Sequence, residues 1–246
     1  MIEPKLCRES LNPRGMVQYV KFRMEFAGNH PDYFYPDGLC IFVGGQGTGK
    51  TLSAVNYVYK LLAAYPKCIL VTNVKLTDFP FDGQRVFLFE DNDDFSKYAN
   101  GECGVIFFVD EIQLYLNSLQ SRNINMDVVT QISQQRKQRV HIVATSQVFG
   151  RMAKPLREQF NTVILCTEKA NCLQINYWVD RDSIESSDNS ATSLTGKVRE
   201  KFVWWRTPEM FERYDTSEVI RRKKWASGEK QMEVYVDGAG RVCAGI

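Results

Sequence analysis

One glycine-rich segment limits the folds open to this chain more than any other feature of its sequence. Residues 44–51 read GGQGTGKT, follow the apolar stretch 39–43 and precede a helix-like run, 52–62. Glycine adopts backbone conformations that other residues resist, so its N–H groups can approach an anion closely. A strand, a glycine-rich loop and a helix in this order direct N–H groups and the positive end of the helix toward phosphate. The segment therefore predicts a site for a nucleoside triphosphate.

The residues of this segment have separate roles in the predicted site. Lys50 would reach the β- and γ-phosphates, and the Thr51 hydroxyl would ligate Mg²⁺. The predicted nucleotide-binding set is Gly44, Gly45, Gln46, Gly47, Thr48, Gly49, Lys50, Thr51 and Leu52. The alternative interpretation of the same residues is a glycine-rich turn that carries an exposed lysine.

A pair of carboxylates follows the most apolar strand of the chain. Residues 105–109 read VIFFV and lead directly into Asp110 and Glu111. Ligands of α/β sheets bind at the carboxyl ends of the strands, so Asp110 is expected to hold Mg²⁺ through a water molecule. Glu111 is expected to orient or deprotonate an attacking water, which favours hydrolysis over transfer to a small acceptor. The alternative is a pair of acids that ends a strand at the surface.

Polar residues also end a third apolar strand. Residues 140–144 read VHIVA and precede Thr145, Ser146 and Gln147. If this strand lies beside the strand of Asp110, its tip would reach the γ-phosphate, and Gln147 is the best candidate for a group that senses it. The alternative is an ordinary polar strand end.

Two arginines are candidates for stabilising the transferring phosphoryl group. The segment QQRKQR at 134–139 contains Arg136 and Arg139. Either one would act on the nucleotide within one chain or across a subunit interface. The alternative is a solvated helix end, where cations interact favourably with the helix dipole.

The order of apolar runs predicts the fold class. Strands are predicted at 39–43, 68–72, 86–89, 105–109, 140–144 and 163–166, and helices at 50–64, 91–99 and 125–137. Strands that alternate with helices in this way indicate an α/β fold with a mostly parallel central sheet. We expect an N-terminal lead-in at 1–37 with one short strand at 17–21, an α/β core at 38–168 and a small β-rich extension at 169–246.

The extension has antiparallel character. Residues 173–179 alternate as a strand whose partner would be 198–205, and 180–195 are rich in Ser, Asp and Asn, as expected of an exposed loop. A short basic helix is predicted at 216–226 and a terminal hairpin across a glycine turn at 232–244.

Composition excludes several classes of protein. The net charge of +2 exerts no strong overall attraction for nucleic acid or membrane. The seven cysteines form no CxxC pair and are odd in number, which indicates reduced, buried thiols. Neither histidine has a cysteine at ligand spacing, so no metal cluster of that kind is expected. The N-terminus does not resemble a signal peptide, and no apolar run is long enough to span a bilayer.

Together the motifs resemble a known family. GGQGTGKT, FFVDE and the segment from QQRKQR to VHIVATSQ resemble the additional-strand, RecA-like P-loop ATPases of the FtsK–HerA type. They are most similar to the zonular occludens toxin-like (Zot) proteins of bacteriophages, relatives of the filamentous-phage assembly ATPase, over about residues 39–168. The resemblance implies ATP and Mg²⁺ as ligands. It also implies a ring-shaped motor that moves phage or mobile-element DNA during virion assembly or genome packaging, with arginines acting in trans.

The chain departs from this pattern in one respect. Many Zot-like proteins continue into a membrane-spanning helix, and no such helix is predicted here, which favours a soluble motor in the host cytoplasm. Such a motor would meet virion or membrane assembly proteins at an assembly site. Its DNA contacts are expected in the loop 114–122, the basic cluster 221–225 or the pair Trp204–Trp205. Whether that DNA is single- or double-stranded stays open.

Two other functions are compatible with the same motifs. The first is a switch module that uses ATP to change conformation and recruit partners without processive movement. The second is a small-molecule kinase, which Glu111 and the segment around Gln147 fit less well than hydrolysis. Stimulation of ATP turnover by DNA distinguishes the motor from the switch.

Overall fold

The computed structural model describes most of the chain in two compact units, Met1–Tyr33 and Phe34–Ile246. The described residues are 13–36, 38–91, 93–115, 139–147, 149, 152, 157–180, 184–186, 192–194, 197–214, 234–236 and 242–244. The predicted helices at 125–137 and 216–226 therefore lie outside the described residues.

The amino-terminal unit contains a helix where a lead-in with a short strand was expected. Helix α1 spans Pro13–Asn29 and buries none of its residues. Pro13 suits the first position of a helix, and residues 16–27 contain neither proline nor glycine to interrupt the backbone hydrogen bonds. The predicted strand at 17–21 is wrong, because alternation over five residues is too short to distinguish a strand from a helix.

The second unit is built on a ten-stranded sheet. Its strands are β1 (Gly38–Val43), β2 (Ile69–Thr72), β3 (Arg85–Leu88), β4 (Val105–Val109), β5 (Val140–Ser146), β6 (Phe160–Lys169), β7 (Leu173–Val179), β10 (Val198–Trp205), β11 (Val234–Val236) and β12 (Val242–Ala244). Their order across the sheet is β10-β7-β6-β1-β5-β4-β2-β3-β11-β12. A separate two-stranded sheet pairs β8 (Ile184–Ser186) with β9 (Thr192–Leu194).

The centre of the sheet is parallel and its edges are antiparallel. Strands β6, β1, β5, β4, β2 and β3 run in one direction, while β7 and β10 extend one edge and β11 and β12 the other. Strand β5 lies between β1 and β4, so one additional strand separates the strand before the glycine-rich loop from the strand before Asp110. The predicted α/β, additional-strand P-loop fold is confirmed, and all six predicted core strands are present.

Both faces of the parallel sheet are covered, which explains its continuously apolar strands. All five residues of β4 are fully buried. Val105, Phe107 and Val109 join a cluster on one face with Phe89 and Phe95. Residues of opposite parity on the strands join a second cluster with the apolar side of helix α2 (Lys50–Ala64). Helix α2 begins directly after the glycine-rich loop and ends just before Pro66, whose ring disfavours helical conformation in the preceding residue.

Two predicted features differ in detail, and two are present as predicted. The helix expected at 91–99 is reduced to α3 (Asp94–Lys97). The side chain of Asp94 accepts the N–H groups of Glu90 and Asp91, which holds these residues in a turn before the helix. The expected loop at 180–195 contains the β8–β9 hairpin. The predicted antiparallel pair β7–β10 and the terminal hairpin β11–β12 are both present. A further short helix, α4 (Pro208–Glu212), follows β10.

The cysteines of the described part are free thiols. Cys40, Cys68 and Cys166 are buried in or beside strands of the sheet, as expected. Cys172 is exposed, contrary to expectation, because it lies in the turn between β6 and β7. Among the residues that the structure describes, no helix is long and apolar enough to cross a membrane.

Candidate nucleotide site

The glycine-rich loop connects the end of β1 to the start of α2. Its glycines at 44, 47 and 49 have φ angles of 151°, 79° and 80°. A Cβ atom on Gly44 would lie 2.7 Å from the carbonyl oxygen of Cys166, so only glycine fits between β1 and β6. Thr48 closes the loop by donating its hydroxyl to the carbonyl oxygen of Gly45 at 2.8 Å.

Lys50 points back into this loop. Its ammonium group donates to the carbonyl oxygen of Gly45 at 2.9 Å, and the residue is only 6% exposed. A buried cation at the start of a helix, next to a glycine-rich loop, suits the phosphates of a nucleotide. The predicted role of Lys50 agrees with this placement.

Thr51 and Asp110 meet at the carboxyl ends of the strands. The Thr51 hydroxyl donates to Oδ1 of Asp110 at 3.0 Å, and the Thr145 hydroxyl donates to the same oxygen at 2.6 Å. Burial raises the pKa of the Asp110 carboxyl, while the hydrogen bonds from Thr145 and Thr51 lower it. A hydroxyl and a carboxylate beside a phosphate-binding loop are oxygen ligands of the kind that Mg²⁺ prefers, so this corner fits the predicted ion.

Asn73 holds the backbone of Asp110 and was missed from the sequence. Its Nδ2 donates to the carbonyl oxygen of Asp110 at 2.9 Å, and its Oδ1 accepts the N–H of Asp110 at 2.8 Å. A polar residue directly after a buried strand was the available signal. Only the order of the sheet reveals that β2 lies next to β4 and brings Asn73 to this position.

Glu111 is held by amides on both carboxylate oxygens. Gln147 donates its Nε2 to Oε1 of Glu111 at 2.7 Å, and Gln113 donates to Oε2. The backbone of Glu111 is left-handed, with φ of 52°, and its N–H donates to the hydroxyl of Thr145 at 2.9 Å. Glu111 and Gln147, which were predicted separately, therefore lie together, and the hydroxyl of Thr145 connects Glu111 to Asp110.

The two candidate arginines are placed differently. Arg139 precedes β5, and its carbonyl oxygen accepts the N–H of Val105 at 3.0 Å, so it lies at the amino ends of the strands. The glycine-rich loop lies at their carboxyl ends. Within one chain Arg139 is therefore remote from the site, and a role across a subunit interface stays a prediction. Arg136 lies outside the described residues.

The predicted DNA contacts are only partly described. Trp205 is 66% exposed at the end of β10, whereas Trp204 is partly buried. Residues 116–122 and 221–225 lie outside the described part of the chain.

Residues of the extension also touch the loop. Gln174 of β7 donates to the carbonyl oxygen of Thr48 at 3.1 Å, and Asn176 accepts the hydroxyl of Ser53 in the first turn of α2 at 3.2 Å. The sequence predicts β7 as an antiparallel strand of the extension, and neither residue was among the predicted site residues. Their alternation along the strand was visible, but the burial of its polar face was not.

The order of the strands and the glycine-rich loop together define a P-loop fold of the additional-strand class with a candidate nucleotide site. No protein-family model and no curated protein matches the chain. Among solved structures it is similar to the N-terminal domain of zonular occludens toxin from Neisseria meningitidis, at 16% identity and a TM-score of 0.49, over 74% of this chain and 100% of that one.

Two further similarities concern other solved structures. The genome packaging NTPase B204 from Sulfolobus turreted icosahedral virus 2, in complex with ATP-gammaS, matches at 14% identity and a TM-score of 0.45, over 59% of this chain and 93% of that one. The ATPase domain of another protein matches at 11% identity and a TM-score of 0.48, over 84% of this chain and 99% of that one. The interpretation of the site rests on its own residues and contacts.

Proposed function

We propose that this chain is an ATP-hydrolysing motor that translocates phage or mobile-element DNA during virion assembly or genome packaging. The observation that carries the hydrolytic part is the single hydroxyl of Thr145, which links Asp110 to the backbone of Glu111. A metal-binding carboxylate and a potential base thus share one fixed support at the phosphate-binding loop.

Each side chain has a role in the proposed reaction. The backbone N–H groups of the loop and the ammonium of Lys50 bind the β- and γ-phosphates. Thr51 and Asp110 would hold Mg²⁺, whose chemistry there would be to neutralise negative charge on the phosphates. Glu111 accepts a proton from the attacking water, and Gln147 keeps its carboxylate in position.

The DNA-translocating part rests on the resemblance of the three sequence motifs to Zot-like and FtsK–HerA-type ATPases. A ring of subunits that share their nucleotide sites would let Arg136 or Arg139 of one subunit act on the nucleotide of the next. Virion or membrane assembly proteins are the proposed docking partners, and the host cytoplasm is the proposed compartment.

The test is steady-state ATP hydrolysis with and without single- and double-stranded DNA, at low and moderate salt. We expect one form of DNA to stimulate ATP turnover, and we expect Lys50→Ala to abolish that turnover. Lys60→Ala is the matched control, because Lys60 is an exposed lysine on the same helix. Glu111→Gln should retain nucleotide binding and lower kcat about 10²-fold or more, the usual contribution of a general base.

The outcomes separate the parts of the proposal. Hydrolysis that needs Lys50 and Glu111 but ignores both forms of DNA would contradict translocation and favour the ATP-dependent switch. Turnover that survives Lys50→Ala would contradict the site itself.

A further inference from the structure

A buried polar network lies behind the glycine-rich loop, on the side of the extension. Gln174 is fully buried in β7, and the side chain of Arg206, which directly follows β10, is only 8% exposed. A buried guanidinium is costly unless its N–H groups are paired. The partners of Arg206 therefore indicate what this buried charge is held for.

Arg206 fixes the orientation of the Gln174 amide. Its Nε and Nη2 both donate to Oε1 of Gln174, at 3.0 and 2.7 Å, and its Nη1 pairs with Oε2 of Glu168 at 3.3 Å. Because two donors hold the amide oxygen, the amide nitrogen must face the other way. That nitrogen donates to the carbonyl oxygen of Thr48 at 3.1 Å.

The bond to Thr48 determines which way one peptide group of the loop points. In a trans peptide the C=O and the following N–H point in opposite directions. Gln174 binds the carbonyl oxygen of Thr48 from behind the loop, so the N–H of Gly49 is directed away from Gln174, toward the concave side where phosphate would bind.

The loop rests directly on this pair. A Cβ atom on Gly49 would lie 2.1 Å from Oε1 of Gln174 and 2.4 Å from Nη2 of Arg206. The same network reaches α2, since Gln174 also donates to Oδ1 of Asn176 at 2.8 Å, and that oxygen accepts the hydroxyl of Ser53. The loop and the first turn of its helix are thus supported together.

The segment that carries Arg206 is anchored on both sides. The N–H of Arg206 donates to the carbonyl oxygen of Cys172 at 2.8 Å. Arg213 and Tyr214 directly follow α4. The carbonyl oxygen of Arg213 accepts the N–H of Thr77 at 2.9 Å, and Tyr214 forms a β-bridge with Leu76. These contacts join the segment to the loop after β2, which also carries Asn73.

We propose that Arg206 is a positioning residue of the nucleotide site. Acting through Gln174, it keeps the peptide between Thr48 and Gly49 turned so that its N–H faces the phosphates. The inference rests on the nucleotide binding of the proposed function. It implies that the antiparallel extension helps to shape the phosphate-binding loop.

The test compares Arg206→Met with Arg199→Met, which removes an exposed arginine from β10 of the same hairpin. For each variant we would measure the Kd of a fluorescent ATP analogue, the KM and kcat for ATP, and the Tm. Arg206→Met should raise Kd and KM about tenfold or more, the size of one charge-supported hydrogen bond, with kcat changed less than threefold. Arg199→Met should leave all of these values within twofold of the original.

Two further variants separate positioning from general destabilisation. Arg206→Lys keeps a cation beside Glu168 but cannot hold the Gln174 amide with two donors, so its KM should lie between those of the original and Arg206→Met. If Arg206 acts through Gln174, adding Gln174→Met to Arg206→Met should raise KM no further than the larger single change does.

Several results would overturn the proposal. One is an unchanged Kd and KM in folded Arg206→Met and Arg206→Lys; another is a fall in kcat at constant KM, which indicates only a smaller folded fraction. Fully additive losses in the double variant would also contradict it. An original protein that binds no nucleotide would overturn the proposed function as well, whereas binding that ignores DNA leaves this proposal intact.

Discussion

Thr145 illustrates how much of the site depends on one hydroxyl. It donates to the carboxylate of Asp110 at 2.6 Å and accepts the N–H of Glu111 at 2.9 Å. The residue is fully buried at the tip of β5, so water cannot replace either bond without a rearrangement. The proposed metal-binding acid and the proposed base are therefore coupled through one side chain.

Thr145→Val tests this coupling, since valine has nearly the same shape and lacks the hydroxyl. The buried N–H of Glu111 would lose its partner, which costs about 1–3 kcal/mol of the free energy of unfolding. We expect kcat to fall about tenfold or more because the carboxylate of Asp110 and the backbone of Glu111 lose a fixed support, with little change in the Kd of an ATP analogue. Urea unfolding and steady-state kinetics check both effects.

The matched control is Thr162→Val, which removes a hydroxyl from a partly exposed position on β6. It should change stability and kcat little. Equal losses in the two variants would contradict the special role of Thr145.

At the scale of elements, three buried cysteines in or beside strands of the sheet should be protected from thiol reagents in solution. Cys40, Cys68 and Cys166 lie in β1, just before β2 and in β6. Burial raises the pKa of all three thiols, to about 12 for Cys68 and Cys166. The reactive species is the thiolate, so these strands protect their cysteines both by exclusion of reagent and by suppressed ionisation.

Alkylation with mass-spectrometric readout of each cysteine tests this packing. At pH 8 a thiol with a pKa of about 12 is ionised in only about one molecule in 10⁴, and even at pH 9 in about one in 10³. Cys68 and Cys166 should therefore stay unmodified from pH 7 to 9 while exposed Cys172 reacts. In denaturant all should react alike. Rapid modification of Cys68 in the native protein would show that β2 is not packed as described.

The arrangement of the elements also explains which candidate site residues could be predicted from the sequence. Lys50, Asp110 and Glu111 could be predicted because each follows a local pattern, a glycine-rich loop or a continuous apolar strand. Asn73, Gln174 and Arg206 could not, since their roles depend on which strands become neighbours far apart in sequence. The strand predicted at 17–21 lies within helix α1, because a pattern over five residues is too short to distinguish a strand from a helix.

At the scale of the whole molecule, the site draws on inner strands of the parallel core and on the extension. Asn73 directly follows β2, and Thr145 and Gln147 lie at the end of β5. In the extension, Gln174 lies in β7 and Arg206 directly follows β10. Arg139 lies at the opposite ends of the strands from the loop. Arg139 could therefore serve a nucleotide only if that nucleotide belonged to a neighbouring subunit.

Mixing two inactive variants tests this arrangement. Lys50→Ala lacks a working loop but keeps its arginines, and the double variant Arg136→Ala with Arg139→Ala lacks the arginines but keeps the loop. Loss of a trans-acting arginine lowers kcat about 10³-fold or more. In mixed rings some interfaces join an intact loop to intact arginines, so activity should return to about a quarter of the original when equal amounts mix at random.

The assembly state decides how the mixing result is interpreted. Both variants and their mixture should form particles of the original size by light scattering. If they assemble normally and no activity returns at any ratio, neither arginine acts across an interface. If the double variant alone keeps its activity, neither arginine contributes to hydrolysis, and Arg206 would then be the one described arginine that supports the loop.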